Sequence, residues 1–392
     1  MNVDREAAGA APKGERELRS KTTGWVARIV LVTASVLVSL ALLEGGYRLV
    51  LWGPEGLANW PNLAHQRMGI GPGGERCQYV YNAEIGWTSP ANCVSGAYNS
   101  DADGFRRSSP QASLAQPSIL VTGSSFAKGD EVNDNEAWPA YLQDMVGRKV
   151  VNAGVSGYAF DQMVLSTEQL APKVKPLFVI ASFTPGDIRR AELKVAWSRE
   201  KPYFTVKAGK LDLHNVPVPG KPGEPIRFPV AAEWLGRSAL AELVMERLGV
   251  QRGWYFSEVR GAPAGTGEAI ACQLMPRLAA LGVPVVVMAH YSRGYWKDNG
   301  PYGTADHRAV RRVLGCAAAA GLIPFDLADT LKAAVDTGCA DALYRSDHHS
   351  AEGNRVVADL VMRELVNRRL LTHTADRDSR GIDFIAERPQ EP

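Results

Sequence analysis

Two apolar patterns divide the chain. An uncharged apolar run covers Ile29 to Leu43, and Trp25 to Ala27 extend it on the other side of Arg28. From Ser118 onward, short apolar runs of strand length alternate with segments whose apolar residues recur at helical spacing. This alternation favours a parallel sheet with helices on both faces. The pattern therefore predicts one membrane-length helix followed by an α/β domain.

The apolar runs also give the elements of the predicted domain. Its strands are predicted at Ser118 to Thr122, Val150 to Asn152, Leu177 to Ser182, Val285 to Ala289 and Ile323 to Leu327. Helices are predicted at Trp138 to Val146, between the second and third strands, at Ala305 to Ala320, and from about Ala351 to Arg369. Ligands of such sheets bind beyond the carboxyl ends of the strands, so candidate chemistry is sought there.

An insertion at about 190–262 interrupts the alternation. It carries a predicted hairpin, Tyr203 to Val206 with Lys210 to Leu213, and a helix near Ala231 to Leu248. It is either a lid or substrate platform on the active face, or a surface insert without a role. The predicted organisation is a disordered tail at 1–22, an anchor at 23–45, an extended lead-in at 52–116 with short strands around Gln78 to Tyr81 and near Gly104, an α/β domain at 117–370 and a loose tail at 371–392.

The apolar run predicts an uncleaved membrane anchor. It covers about 19 residues, close to the ~20 that a bilayer needs. Basic residues precede it, and such residues stay in the cytoplasm, so the rest of the chain is expected in the periplasm or outside the cell. These residues are Arg5, Lys13, Arg16, Arg19 and Lys21. A cleaved signal peptide and a buried core helix are the alternatives, but the run is long for the first.

Composition narrows the classes of partner. The net charge of +2 comes without a large basic patch, so no nucleic-acid partner is predicted, and the mean hydropathy of −0.15 argues against a polytopic membrane protein. Five cysteines fit an oxidising compartment. Cys77 with Cys93 and Cys316 with Cys339 are possible bridges that leave Cys272 over, while five buried free thiols explain the pattern nearly as well.

A serine and a histidine far apart in sequence are the candidate catalytic pair. Ser125 follows an apolar strand that ends in Gly123, in a turn whose small residues allow close approach of a substrate. His348 and His349 lie just before the last helix. A serine nucleophile needs a base within hydrogen-bond reach, and the base needs an orienting partner. Ser125 therefore predicts nucleophilic ester chemistry if a histidine reaches it.

Two further features complete the candidate site. The turn from Asn152 to Gly157 follows the second predicted strand and can bring a backbone N–H into the same pocket. The stretch from Ser182 to Ile188 follows the third strand and provides a further wall. The histidine pair lacks the Cys, His or carboxylate companions of a metal site, so neither metal nor cofactor is predicted.

The order of these motifs resembles the SGNH/GDSL hydrolase superfamily. The lead-in stretches Glu84 to Pro90 and Asn99 to Arg106 look like its membrane-anchored bacterial branch, whose members often accompany acylation of surface polysaccharides. The motifs that carry the resemblance are Gly123-Ser-Ser-Phe-Ala-Lys-Gly129, Glu136-Ala-Trp-Pro-Ala-Tyr-Leu142, Asn152-Ala-Gly-Val-Ser-Gly157, Thr184-Pro-Gly-Asp-Ile188 and His348-His-Ser-Ala-Glu-Gly353.

The resemblance implies a flavodoxin-like three-layer α/β/α fold and assigns roles. Ser125 is the expected nucleophile, and His348 is the expected base because it lies five residues before Gly353, with His349 as fallback. Asp347 is the nearest candidate for the orienting acid, and Asp326 and Asp329 are more distant ones. The expected oxyanion hole comprises Ser125, Gly157 and the position of Gly186.

Three positions depart from the family pattern. Ser124 stands where the family has aspartate, Gly186 where it has asparagine, and Arg345 where it usually has the acid that precedes the histidine. Losing one oxyanion donor costs about 10²–10³ in rate, and losing the orienting acid costs up to about 10⁴. Unless other groups compensate, these departures predict a slow enzyme.

The sequence therefore supports two functions from different classes. The first is a membrane-anchored extracytoplasmic serine esterase or acyltransferase acting on O-acyl groups, chiefly acetyl, of a surface glycan or a small ester. The second is a weak or inactive relative that binds glycan or scaffolds a polysaccharide-export complex. The aromatic residues of the insertion favour the second if they stack on sugars: Trp197, Tyr203, Phe204 and Trp234.

Overall fold

The computed structural model describes residues 13–371 apart from several gaps. The gaps are residues 59, 61–76, 78, 96–97, 109–114, 198, 221–233, 249–264, 298–300 and 336–339. The chain forms two compact units, Met1–Ala64 with Ala231–Gly249, and His65–Val230 with Val250–Pro392. Part of the predicted insertion thus belongs to the same unit as the predicted anchor, whereas all candidate catalytic residues belong to the larger unit.

The strands are β1 (Val80–Asn82), β2 (Gly86–Thr88), β3 (Ala115–Gly123), β4 (Arg148–Asn152), β5 (Val179–Phe183), β6 (Val195–Ala196), β7 (Arg199–Glu200), β8 (Tyr203–Lys207), β9 (Lys210–His214), β10 (Val285–Ala289), β11 (Ile323–Asp326), β12 (Tyr344–Arg345) and β13 (His348–His349). The helices are Lys13–Trp52, Glu55–Ala58, Ser125–Lys128, Asp134–Glu136, Trp138–Val146, Phe160–Val174, Pro185–Arg190, Ala239–Arg247, Gly267–Ala279, Arg293–Lys297, Pro301–Ala319, Leu327–Ala334, Ala340–Leu343 and Ala351–Asn367.

Five parallel strands form the central sheet, in the order β11-β10-β5-β3-β4. Counted along the chain within this sheet, the order is the flavodoxin-like one, in which the connections reverse direction between the first and third strands. These strands are β3 and β5, paired through Leu120 with Val179 and Gly123 with Ser182. A crevice at their carboxyl ends is where such sheets bind ligands.

Alternate residues of the strands face two separate apolar layers. Leu120, Val179 and Val287 pack with the helices Phe160–Val174, Gly267–Ala279 and Pro301–Ala319. Ile119 and Ile180 face the opposite side. There they pack with the helices Trp138–Val146, Leu327–Ala334 and Ala351–Asn367. Because β5 and β10 are covered on both faces, their sequences are almost entirely apolar rather than alternating. The predicted three-layer α/β/α fold is confirmed.

The remaining elements lie close to their predicted positions. The helices Trp138–Val146 and Ala351–Asn367 and the hairpin of β8 and β9 are where the apolar spacing placed them. The first helix differs, because it begins at Lys13 and so includes the second half of the predicted disordered tail. Residues 1–12 and 372–392 lie outside the described residues.

The smaller unit joins the long helix to the insertion. The stretch Trp25–Trp52 is long and apolar enough to cross a membrane. Near its end, Glu44 accepts hydrogen bonds from the backbone N–H groups of Ala239 (2.8 Å) and Leu240 (2.9 Å). The carboxylate thereby caps the start of the helix Ala239–Arg247, a place where helices favour negative charge. Arg48 pairs with the same carboxylate at 2.6 Å.

Two disulfides lie in the larger unit. Cys77 and Cys93 are bridged as one predicted alternative had it, with 5.6 Å between their Cα atoms. The second bridge joins Cys272 to Cys316 instead of Cys316 to Cys339. The reason is that the helices Gly267–Ala279 and Pro301–Ala319 pack side by side, which leaves 5.2 Å between the Cα atoms of Cys272 and Cys316. Cys339 lies outside the described residues.

Candidate active site

The candidate nucleophile lies directly after β3, which neighbours the middle strand β5 of the sheet. β3 ends at Gly123, and Ser125 opens the short helix Ser125–Lys128. Gly123 has a φ of 150°, and a Cβ atom there would lie 2.4 Å from the backbone oxygen of Ser182 on β5. The turn therefore requires glycine. It places Ser125 at the carboxyl ends of β3 and β5, where the strand connections reverse.

His348 contacts the Ser125 hydroxyl. It lies on β13, just before the helix Ala351–Asn367, whose start is capped by the Ser350 side chain. The distance from His348 Nε2 to Ser125 Oγ is 2.8 Å. The Phe126 ring packs against the imidazole, with 4.9 Å between ring centroids. Folding thus brings together two side chains more than two hundred positions apart in sequence.

The carboxylate on the second ring nitrogen is Glu131. Its Oε1 lies 3.0 Å from His348 Nδ1 and also accepts a hydrogen bond of 2.7 Å from Ser346 Oγ. Glu131 has a φ of 71°, so its backbone lies in the left-handed region that side chains other than glycine seldom adopt. We call residues 128–134 the acid loop. Its tight course directs the Glu131 side chain back toward the histidine.

The charges around His348 raise the pKa of its imidazole and lower that of the Glu131 carboxyl. Burial raises the pKa of Glu131, but hydrogen bonds from His348 and Ser346 outweigh it and hold the pKa below its usual value. Burial lowers the pKa of His348, but the Glu131 hydrogen bond and the Asp130 carboxylate outweigh it, so the pKa lies above its usual value. An ionised Glu131 only accepts hydrogen bonds, so Nδ1 carries the proton and Nε2 faces the serine hydroxyl as acceptor.

The other two candidates near His348 lie differently. Asp347 is exposed, and its backbone N–H donates to Ser346 Oγ. Its carboxylate raises the pKa of His348 through space, while Glu131 holds the ring nitrogen. His349 is buried against Phe126, Tyr344 and His290. Burial lowers its pKa to about 3, so this imidazole is neutral in the apolar layer behind the site.

The turn that contains Gly157 is hydrogen-bonded to the end of β3 and to the acid loop. The backbone N–H of Val155 donates to the Gly123 carbonyl at 3.0 Å. Ser156 Oγ donates to Asp130 Oδ2 at 2.5 Å. Gly157 has a φ of 81°, and a Cβ atom there would lie 2.6 Å from Cδ1 of Trp197. A half-buried tryptophan of the predicted insertion thus lies directly against the expected oxyanion residue.

Gly186 is linked to the nucleophile turn through Asp187. It lies in the first turn of the helix Pro185–Arg190, which Thr184 caps. The Asp187 carboxylate accepts a hydrogen bond of 2.8 Å from Ser124 Oγ and pairs with Arg190. Ser124 replaces the aspartate of the family motif, so a carboxylate still lies beside position 124 but comes from another segment. Within this first turn, the backbone N–H of Asp187 is bonded to Thr184, and the N–H of Gly186 is the one that the predicted oxyanion hole uses.

A half-buried ionic cluster supports the acid loop next to His348. Lys128 Nζ lies 3.4 Å from Asp130 Oδ1 and donates to Tyr79 OH (3.0 Å) and Ser156 Oγ (3.2 Å). Burial raises the pKa of Asp130, but Lys128 and His348 outweigh it and hold the pKa below its usual value. Asp130 is thus charged, and it joins the acid loop to the turn that carries Gly157.

Sequence reasoning missed Glu131 and its support. The acids predicted from the sequence, Asp347, Asp326 and Asp329, lie beside the histidine or after the last strand. The available signal was the run Gly129-Asp-Glu131, two carboxylates directly behind the nucleophile helix. Carboxylates after a glycine are common in loops, so only the contacts of the folded chain distinguish this one.

No protein-family model and no curated protein matches the sequence. Similar solved structures include a catalytic mutant of Axe2, an acetylxylan esterase from Geobacillus stearothermophilus, at 14% identity over 65% of this chain and 96% of that one, with a TM-score of 0.41. Another is LAE5, an alpha/beta hydrolase enzyme from the metagenome of Lake Arreo, Spain, at 11% identity over 64% of this chain and 95% of that one, with a TM-score of 0.41. A third is TesA, at 15% identity over 64% and 98%, with a TM-score of 0.36. The order of the strands in the sheet agrees with the flavodoxin-like α/β fold that the sequence predicted.

Proposed function

We propose that the protein is a membrane-anchored, extracytoplasmic serine esterase or acyltransferase acting on O-acyl groups, chiefly acetyl, of a surface glycan. The observation that carries this proposal is a chain of two contacts. Ser125 Oγ lies 2.8 Å from His348 Nε2, and His348 Nδ1 lies 3.0 Å from Glu131 Oε1. This is the geometry by which a base activates a hydroxyl nucleophile and an acid orients the base.

The proposed reaction assigns each group a task. His348 Nε2 takes the proton of the Ser125 hydroxyl while Oγ bonds to the acyl carbon, and the carbonyl oxygen becomes an oxyanion. Backbone N–H groups of Ser125, Gly157 and the turn at Gly186 are the proposed donors to that oxyanion. The imidazolium then protonates the departing alkoxide. Water or a sugar hydroxyl, deprotonated by the same nitrogen, then attacks the acyl carbon. The bond from that carbon to Ser125 Oγ breaks, and the imidazolium returns a proton to Oγ, so hydrolysis and transfer differ only in the acceptor.

The location rests on the helix and on the disulfides. The apolar helix is preceded by basic residues, which supports a cytoplasmic N-terminus. Cys77–Cys93 and Cys272–Cys316 support an oxidising compartment for the larger unit. The choice of a glycan is supported by the family resemblance of the lead-in. Trp197 adds to it, since this half-buried indole lies beside Gly157 and offers an aromatic surface of the kind that stacks on sugar rings.

The test uses the full-length chain in lipid nanodiscs. We expect it to hydrolyse p-nitrophenyl acetate, to release acetate from acetylated oligosaccharides, and to bind a fluorophosphonate probe covalently at Ser125. Ser125→Ala abolishes all three activities. The matched control is Ser95→Ala, which removes an exposed serine hydroxyl elsewhere in the larger unit.

Two outcomes would overturn the proposal at different levels. Equal rates for wild type and Ser125→Ala would remove the catalytic assignment. Failure of the probe to label Ser125, together with measurable binding of the oligosaccharide, would favour the non-catalytic glycan-binding alternative. Labelling of Ser125 with turnover of p-nitrophenyl acetate, but not of any acetylated saccharide, would support the esterase activity and refute the glycan substrate.

A further inference from the structure

The buried side chain of Arg106 holds the backbone on both sides of Glu131. Only 4% of this residue is exposed. Its Nη1 donates to the carbonyls of Lys128 (2.8 Å) and Gly129, and its Nη2 donates to the carbonyl of Val132 at 2.7 Å. Three of the five carbonyls from 128 to 132 are therefore bound by one guanidinium. The planar fork of arginine suits such a divided contact, whereas the ammonium of lysine does not.

Arg106 is itself fixed from two directions. Its backbone N–H donates to the Asn152 carbonyl at the end of β4, at 3.0 Å. Its Nε donates to Asp134 Oδ1 at 2.9 Å, and the second oxygen of Asp134 accepts from Asn99 at 2.6 Å. The Arg106 side chain is therefore held by contacts with both the sheet and the lead-in residue Asn99. The proposed reaction gives this part of the lead-in no role.

The acid loop needs such support. Glu131 has a φ of 71°, an unfavourable conformation for a residue with a side chain. Glu131 is exposed, so apolar packing contributes little to its position. Burial removes the guanidinium from water, and its bonds to the loop carbonyls and to Asp134 replace that hydration. Its contacts converge on the segment that carries the proposed acid.

We propose that Arg106 is a positioning residue that sets the place of the Glu131 carboxylate and, through it, the orientation of the His348 ring. This inference rests on the proposed function. It makes the lead-in part of the catalytic apparatus rather than a passive connector between helix and domain. The charged groups that face His348 are Glu131, Asp130 and Asp347, and only Glu131 contacts its ring.

The test is a double-mutant cycle on kcat/KM for p-nitrophenyl acetate, with full-length protein. We expect Arg106→Lys to reduce kcat/KM on the order of 10²-fold, as a misplacement of about 1 Å does. The acid limb of its pH profile should move to lower pH, because a loosened Glu131 hydrogen bond raises the pKa of His348 less. In the Glu131→Gln background, Arg106→Lys should cost almost nothing more, because residues that act through one another are not additive.

The matched control is Arg148→Lys. Arg148 is equally buried, at 6% exposure, but donates to the Pro117 carbonyl at the opposite ends of the strands. We expect it to leave both kcat/KM and the pH profile unchanged. If Arg106→Lys does not fold, Asp134→Asn replaces it, because loss of the carboxylate charge weakens the ion pair at Nε that holds the guanidinium against the carbonyls of the acid loop.

The outcomes separate this inference from the proposed function. Equal losses from the Arg106 or Asp134 variant in the wild-type and Glu131→Gln backgrounds, with an unmoved pH profile, would show a purely structural role and refute the inference. The dependence on Ser125 would be unaffected by that result. Loss of the Ser125 dependence itself would refute the proposed function instead.

Discussion

Glu131→Gln is the substitution that most directly tests the site. It keeps the size of the side chain but replaces the charged acceptor 3.0 Å from His348 Nδ1 with a neutral amide. The imidazolium formed during the reaction then loses its partner. The amide can also present its NH₂ group to Nδ1, which favours the tautomer with the proton on the wrong nitrogen.

The expected loss of rate follows from the distance between His348 and Glu131 and from the exposure of their side chains. Two unit charges 3.0 Å apart interact by about 5.5 kcal/mol at an effective dielectric constant of ~20. That corresponds to about 10⁴ in rate, the same order as the loss of an orienting acid in a serine protease. The side chains of His348 and Glu131 are 23% and 31% exposed, so water screens part of the attraction. We therefore expect a loss between about 10² and 10⁴ in kcat/KM.

The pH dependence gives a second readout. Burial lowers the pKa of His348, but the Glu131 hydrogen bond and the Asp130 carboxylate outweigh it, so the pKa lies above the usual 6.5. The base must be neutral to accept the serine proton, so wild-type kcat/KM should rise with pH through a pKa above that value. Removing the Glu131 charge lowers the pKa of His348. The acid limb of the variant should therefore lie at lower pH.

The assay is kcat/KM for p-nitrophenyl acetate over the whole pH range, with Glu136→Gln as a control that removes the same charge nearby on the chain. The control should keep the wild-type rate and profile, because Glu136 bonds to Asn133 and not to the histidine. Wild-type kcat/KM in Glu131→Gln, with an unmoved acid limb, would refute the role of Glu131 as the orienting acid.

Three further predictions concern Asp347, Gly157 and the disulfide between Cys272 and Cys316. Asp347→Asn should keep most of kcat/KM and move the acid limb slightly to lower pH, since Asp347 acts on His348 only through space; a loss as large as that of Glu131→Gln would assign the acid to Asp347. Gly157→Ala should reduce both kcat and the melting temperature, because its Cβ would lie 2.6 Å from Trp197 Cδ1 at a φ of 81°; a wild-type kcat would place the oxyanion donors elsewhere. Replacing Cys272 and Cys316 by serine should lower the free energy of unfolding by up to about 4 kcal/mol for a separation of 44 residues. In denaturant titrations, unchanged stability of this variant would mean that the bridge is not formed.

Much of the fold could be predicted because its signals are local. The strands β3, β5 and β10 are apolar runs of strand length, and the helix Trp138–Val146 has apolar residues at helical spacing. Burial on both sides of the sheet enforces these patterns directly in the sequence. Ser125 is predictable for a similar reason, since it follows a recognisable strand, whereas the choice of His348 over His349 rests on the family resemblance of the histidine motif.

The features that the sequence did not predict all depend on contacts between segments that are distant along the chain. Glu44 caps a helix that begins at Ala239, nearly two hundred positions later, and no local pattern announces this. The bridge from Cys272 to Cys316 depends on which two helices lie side by side. Glu131 is near Ser125 in sequence, but its role depends on one left-handed residue and on a guanidinium from the lead-in.

The proposed acid position also explains a departure from the family motif. An acid shortly before the histidine must come from the same loop as the base, which ties the sequence of that loop to catalysis. Here the candidate nucleophile and the carboxylate both lie on the chain that leaves β3, so the loop before β13 has only to deliver the imidazole. Arg345 can then stand at the usual acid position without leaving His348 unpartnered. The same reasoning applies at Ser124, where the carboxylate of Asp187 lies 2.8 Å from the hydroxyl. At both positions a carboxylate is still present and only the segment that supplies it has changed. These two departures therefore do not by themselves predict a reduced rate, whereas the missing side-chain donor at Gly186 still does.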